Sequence, residues 1–195
     1  GVRTWTASAA AFTRCTGGTP ANGGDYERAS DPWAAIGPGG ITWQISIVIG
    51  DAISATASAV LVSRSPHGGL TWEPPITLIR DQDGPFNDKE SMIADPTDAR
   101  YAYAIWDRLD GNVGPTVFTR TTDSGATWET PRSIHDPGVL RQTINNQVVV
   151  LPDGALVASF TRLNMSLTRA AVLMAMRSTD KGVTWSQPIV VAQVQ

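Results

Sequence analysis

The eight residues TTDSGATW at 121–128 recur as STDKGVTW at 178–185, and an altered copy, SPHGGLTW, stands at 65–72. Their tryptophans, Trp72, Trp128 and Trp185, lie 56 and 57 residues apart. A fixed period of that size confines the chain to repeat architectures, in which each supersecondary unit buries its apolar face only against its neighbours. A second series keeps the same step. The segments ASDPWAAIGPGG, FNDKESMIADPTD and INNQVVVLPDG precede the three motifs, and their Asp31, Asp88 and Asn145 are spaced 57 and 57.

Each motif reads as a hairpin staple. Asp123 can accept hydrogen bonds from backbone NH groups two residues on, Gly125 can take the positive φ of a tight turn, and Trp128 can fold back as an apolar plug. Asp180 and Trp185 repeat that arrangement. His67 replaces the aspartate in the copy that ends at Trp72, so that turn is expected to be the weak one.

Between the motifs run short stretches of β-branched and aromatic residues bounded by Gly, Pro, Asp and Asn, which is the pattern of strands. The first period predicts strands near 33–36, 41–49, 57–64 and 75–80, the second near 90–94, 100–107, 115–121 and 131–135, and the third near 146–151, 155–162, 170–177 and 187–194. Four strands per period is a propeller blade. The expected division is a blade over 28–84, a second over 85–141 and a third over 142–195. Residues 1–27 read as a remnant: GVRTW at 1–5 resembles the tail of another motif, WTASAAAF the outermost strand of a preceding blade, and CTGGTPANGGD a linker. Three blades of an all-β propeller leave two open faces, so self-association or further blades of a longer chain are expected to cover them.

Composition narrows the partners. Thirteen arginines and two lysines are scattered singly against 18 acidic residues, net charge −3, which argues against a nucleic-acid surface. The longest apolar runs, QVVVL and AAVLMAM, are strand-sized, so no membrane span is expected. One cysteine, Cys15, cannot form an internal disulfide, and two distant histidines offer no zinc site, so no metal or cofactor is expected.

The pattern Ser/Thr-x-Asp-x-Gly-x-Thr-Trp, complete in two of three copies, resembles the Asp-box of the bacterial neuraminidase (BNR) repeat. With ERASDPW and NDKES opening successive blades, the whole chain is similar to part of a bacterial sialidase-like protein. The resemblance implies a six-bladed propeller when complete, boxes at the rim away from substrate, an exo-α-sialidase activity on glycoconjugates, and a secreted or extracellular location. It also implies an arginine triad, a tyrosine nucleophile assisted by a glutamate, and an aspartate acid/base. An Arg-Ile-Pro motif is expected on an innermost strand, where this chain has Ser30, Asp31 and Pro32; Arg28, two residues earlier, is the nearest substitute. The alternative reading is a propeller that binds a glycan or a protein without catalysis.

Innermost strands line a propeller's channel, and polar groups cluster where they begin. The first blade offers Glu27, Arg28 and Asp31, the second Asn87, Asp88, Lys89 and Glu90, and the third Arg141, Gln142, Asn145, Asn146 and Gln147. Asp31, Asp88 and Glu90 are the candidate catalytic carboxylates. Arg28, Arg108, Arg141, Asn145 and Asn146 are the candidate substrate-binding residues for a glycan. Asp107 and Arg108 can pair with each other or face the cleft. Trp33, Trp43 and Trp106 fit a core, as do Tyr101 and Tyr103, which alternate with alanine.

Overall fold

The computed structural model describes residues 4, 6–166 and 170–194. Among them there is no α-helix; three short 3-10 turns, at Arg14–Thr16, Pro20–Asn22 and Pro38–Gly40, accompany thirteen strands. The first sheet runs in the order β1 (Tyr26–Ile36), β2 (Thr42–Asp51), β3 (Ser58–Ser65), β4 (Ile76–Asp81). The second is β5 (Phe86–Ala94), β6 (Ala102–Leu109), β8 (Thr116–Thr121), β9 (Arg132–His135). The third is β10 (Arg141–Val150), β11 (Leu156–Asn164), β12 (Ala171–Ser178), β13 (Ile189–Val194). The short β7 (Val113–Gly114) pairs parallel with the start of β10; every other pairing is antiparallel.

The second sheet is apolar on both faces because it lies between the other two. Trp43, Ile45, Ile47, Val60 and Val62 of the first sheet meet Met92, Ala104, Trp106 and Val117 of the second. Tyr103, Ile105 and Phe118 on the other side of the second sheet meet Val148, Leu156 and Ala158 of the third. Full burial of a large aliphatic or aromatic side chain contributes about 1.5–3 kcal/mol, so these two seams hold the sheets in sequence. Trp43 and Trp106 take the core positions expected of them. Tyr103 is buried as well, stacks with Tyr101 at 6.2 Å, and its hydroxyl donates a hydrogen bond to Asp95 Oδ2 at 2.8 Å.

The outward face of the first sheet carries Val48, Ala59 and Leu61, and Ala10 and Phe12 cover it. Residues 6–12 therefore lie on the first sheet, but they form no strand, contrary to the reading of WTASAAAF; among the described residues no sheet edge runs beside them. The proposed motif tail at 1–5 falls largely on residues outside those described.

All three innermost strands are longer than the pattern suggested, and each breaks its ladder with a β-bulge. The pairing slips between Ser30 and Trp33, between Asp88 and Ser91, and between Ile144 and Gln147. In each bulge the first extra residue is left-handed: Asp31 at φ 52°, Lys89 at φ 51° and Asn145 at φ 56°. The structural counterpart of Asp31 in the second sheet is thus Lys89, one residue past the Asp88 that the sequence spacing selects. A bulge re-aims side chains out of the ladder, and here it turns one polar residue per sheet toward the same axis.

The repeated turns follow one scheme. Thr121 Oγ1 accepts the Gly125 NH at 2.8 Å and donates to Asp123 Oδ1 at 2.8 Å, while the two Asp123 oxygens accept the Thr127 NH at 2.9 Å and hydroxyl at 2.6 Å. Ser178, Gly182, Asp180 and Thr184 repeat these bonds at 2.8, 2.8, 2.9 and 2.5 Å. The aspartate therefore grips an NH four residues on rather than two. The Thr127 and Thr184 bonds hold Asp123 and Asp180 down at about 2. In the first copy Ser65 still accepts the Gly69 NH at 2.9 Å, but His67 offers nothing equivalent to Thr71.

The turns also join sheet to sheet. A Cβ on Gly125 would sit 2.5 Å from the Trp43 indole nitrogen, and one on Gly182 would sit 2.5 Å from the Phe118 ring, both at φ values open to glycine. Arg64 reaches the Ser124 carbonyl at 2.9 Å and Arg120 reaches the Lys181 carbonyl at 2.7 Å. The tryptophans complete the seams: Trp128 packs on the first core and Trp185 on the second.

Candidate functional site

The strand directions put the turns and the bulges on different parts of each sheet. The turns follow the third strand at one end, whereas the bulges interrupt the first strand partway along its length. Because β1, β5 and β10 stand side by side, their bulges meet and frame a hollow of about 380 Å³. Asp31, Trp33, Lys89, Glu90, Asn145 and Gln147 line it, with Pro32, Ser91 and Asn146 between them. A second hollow of about 330 Å³ continues along the same strands past Trp33 and Gln147 to Ala94 and Val149.

Charge is organised around Lys89. Its ammonium bonds Asp31 Oδ2 at 2.6 Å and stands 3.8 Å from Asp88 Oδ1, which also accepts the Lys89 NH at 3.0 Å. The Lys89 bond lowers the Asp31 carboxyl below its usual range and raises Lys89 above its own. Asp31 is ionised at neutral pH.

Glu90, the next residue, has the opposite environment. It is only 3% exposed, one carboxyl oxygen accepts the Ile47 NH across the first seam at 3.0 Å, and the other is buried with no hydrogen-bond partner. Burial, reinforced by the nearby Asp31 and Asp88 charges, pushes Glu90 up to about 8. Asp107 behaves alike: it is 1% exposed and raised to about 8 by burial and by Asp88. The Asn146 amide donates to its Oδ1 at 3.5 Å. Asn146 also accepts from Thr116 at 3.0 Å, so its side chain is committed to the second seam.

The candidate carboxylates Asp31, Asp88 and Glu90 therefore come together, with Asn145 and Asn146 beside them. The three candidate arginines do not line the hollow. Arg28 is exposed on β1 opposite Ile49. Arg108 is a bidentate partner of Asp81 at 2.6 and 2.8 Å, so it joins the first two sheets and does not pair with Asp107. Arg141 opens β10, where its guanidinium approaches the Pro137 carbonyl at 3.5 Å. Asn87 is likewise structural: fully buried, it bonds Asp81 at 3.0 Å and receives the Trp106 NH at 2.8 Å.

Sequence reasoning assigned Trp33 to a core, and the structure moves it. Directly after the bulge, Trp33 is 41% exposed and lines both hollows. The sequence signal for it is an aromatic directly after the polar Ser30-Asp31-Pro32. The partnering role of Lys89 was hidden by the one-residue slip of the second bulge.

No protein-family model matches the chain, and no curated protein matches it. Solved structures do. The Hadza microbial sialidase Hz136 superposes with a TM-score of 0.69 at 15% identity, over 88% of this chain and 38% of its own. Trypanosoma rangeli sialidase in complex with sialic acid gives 0.59 at 14% identity, over 83% of this chain and 30% of that one. Penicillium chrysogenum α-L-arabinanase complexed with arabinobiose gives 0.62 at 13% identity, over 90% and 52%. The chain spans about a third to a half of the length of these structures. At such identities the likeness carries the backbone arrangement: this is an all-β chain with the fold of a sialidase-type β-propeller.

Proposed function

We propose that the bulge-framed hollow is a glycan site and that the chain belongs to a carbohydrate-active propeller acting as a glycoside hydrolase. One observation carries this reading: two carboxyl groups in a single hollow are driven in opposite directions, Glu90 up to about 8 and Asp31 below its usual value. Separation of that kind is how paired carboxyls divide acid and base roles at neutral pH. Neutral Glu90 is the proton donor to a glycosidic oxygen. Ionised Asp31, positioned by Lys89, stabilises the cationic sugar or activates the group that attacks it, and Asp88 supports Lys89. The test is sugar release from a panel of glycans by the full-length protein. Glu90→Gln and Asp31→Asn should each lose at least about a hundredfold in rate, the scale of general acid and base help, with the fold intact. Full activity in both variants rejects the assignment, and glycan binding without turnover supports a binding propeller instead.

A second reading, an exo-α-sialidase, is favoured by the Asp-box pattern and by the likeness to solved sialidases. It requires arginines at the hollow, and Arg28, Arg108 and Arg141 stand elsewhere. Turnover of a fluorogenic sialoside by the full-length protein tests it. In either reading the Ser/Thr-x-Asp-x-Gly-x-Thr-Trp turns are Asp-boxes (BNR repeats) that serve folding, and a secreted location suits an enzyme of extracellular glycans.

A further inference from the structure

Within the glycan reading, on which this step rests, we infer that the hollow takes an uncharged sugar stacked on Trp33 and discriminates against acidic sugars.

The platform comes first. Trp33, Ser91 and Gln147 occupy the same place after their bulges, and only the first is bulky, so the indole at 41% exposure faces space that small or slender neighbours leave open. Trp43 and Trp106, at 1% and 0%, are sealed in the first seam. An exposed indole is apolar on its face and matches the C–H face of a sugar ring; a carboxylate or a phosphate gains little from it. Across the hollow, the exposed amides of Asn145 and Gln147 on β10 each supply donors and an acceptor, the complement that hydroxyl groups need.

Charge decides between neutral and acidic ligands. The hollow has one cation among its described lining residues, Lys89, and that ammonium is held 2.6 Å from Asp31 and 3.8 Å from Asp88. Among the described lining residues Asp31 already neutralises Lys89, so no unpaired cation is left for an anionic ligand. An acidic sugar would have to compete with Asp31 for Lys89.

Isothermal titration of the chain with matched probes tests the inference: lactose against 3′-sialyllactose, and arabinobiose and cellobiose against digalacturonate. At least one neutral sugar should bind tenfold or more tighter than its acidic counterpart. Trp33→Ala should weaken that binding at least tenfold with little change in Tm, because the side chain is half in solvent. Asp31→Asn combined with Asp88→Asn, which releases Lys89, should narrow the gap between neutral and acidic probes. Tighter binding of 3′-sialyllactose or digalacturonate overturns the neutral-sugar inference and leaves the glycan site standing. Failure of every probe to bind overturns the inference together with the glycan reading.

Discussion

The turn end and the bulged stretch of each sheet are built from the same repeat, yet they have diverged to different degrees. At the turns, side chain and partner recur together: Thr121 with Asp123 and Thr127, Ser178 with Asp180 and Thr184, Arg64 and Arg120 each on the next turn's carbonyl. At the bulges only the backbone recurs. The left-handed position holds Asp31, then Lys89, then Asn145, and the next holds Pro32, Glu90 and Asn146. Folding demands one solution three times, because each turn must seat on an identical kind of neighbour. A ligand demands three different groups around one point. Sameness marks the part that folding fixes, and difference the part we propose to bind a ligand.

The two parts also respond to pH with opposite sign, and this is the largest effect expected. Glu90 and Asp107 have folded values of about 8, above those of the unfolded chain, so their contribution is complete below about pH 4 and is lost as pH rises through 8. Asp123 and Asp180 have folded values of about 2, so their contribution is present above about pH 4 and is lost as pH falls toward 2. Urea denaturation between pH 5 and 9 should show stability falling by about 2–4 kcal/mol, and Glu90→Gln should remove a large part of that slope. An unchanged slope in Glu90→Gln would break the contrast.

Next in size is the seating of the turns. Gly182→Ala places a methyl 2.5 Å from the Phe118 ring at a left-handed φ, and Gly125→Ala does the same against Trp43. Each should cost about 1–3 kcal/mol in chemical denaturation, the scale of overpacking, with the backbone strain added. Gly69→Ala should cost less, since its nearest atom is Trp72 at an ordinary 3.7 Å. Equal losses at all three would mean that strain alone matters and the seams do not.

Smaller still are the aspartate bonds. Asp123→Ala removes an exposed carboxylate that holds Thr127 twice, for which about 1 kcal/mol is expected. His67→Asp should raise Tm slightly by giving Thr71 the partner that Thr127 and Thr184 have. A clear fall would show that His67 makes contacts of its own.

Much of this was legible in the chain. The four-strand periods and the turn motifs follow from alternation and spacing, because ladders and hairpins impose local periodicities, whereas the short β7 and the start of β10 at Arg141 do not. That Asp31 and Glu90 share one hollow fits the repeat, since innermost strands stand side by side, but they meet at bulges partway along those strands and without Arg28. The bulges were not legible. A bulge absorbs one residue without altering composition, so spacing alone aligned Asp31 with Asp88 and missed Lys89. Trp33 read as core because an aromatic in a strand normally is; only the slip after Ser30 turns it outward. Arg108 was misjudged because its partner, Asp81, lies 27 residues away in the preceding sheet, a distance no local pattern reports. The missing strand at 6–12 fails for a related reason, since a strand needs a neighbour that the segment itself cannot supply.

The central claim is that binding resides at the bulges and stability at the turns, and a crossed pair of variants measures it most directly. Glycan titration and thermal melting are recorded for Trp33→Ala and for Asp180→Ala against the unaltered chain, using the neutral sugar that binds best. The account predicts that Trp33→Ala loses at least tenfold in affinity at nearly unchanged Tm, while Asp180→Ala lowers Tm and keeps the affinity. Loss of binding in Asp180→Ala at temperatures where it remains folded, or full binding in Trp33→Ala, would contradict it.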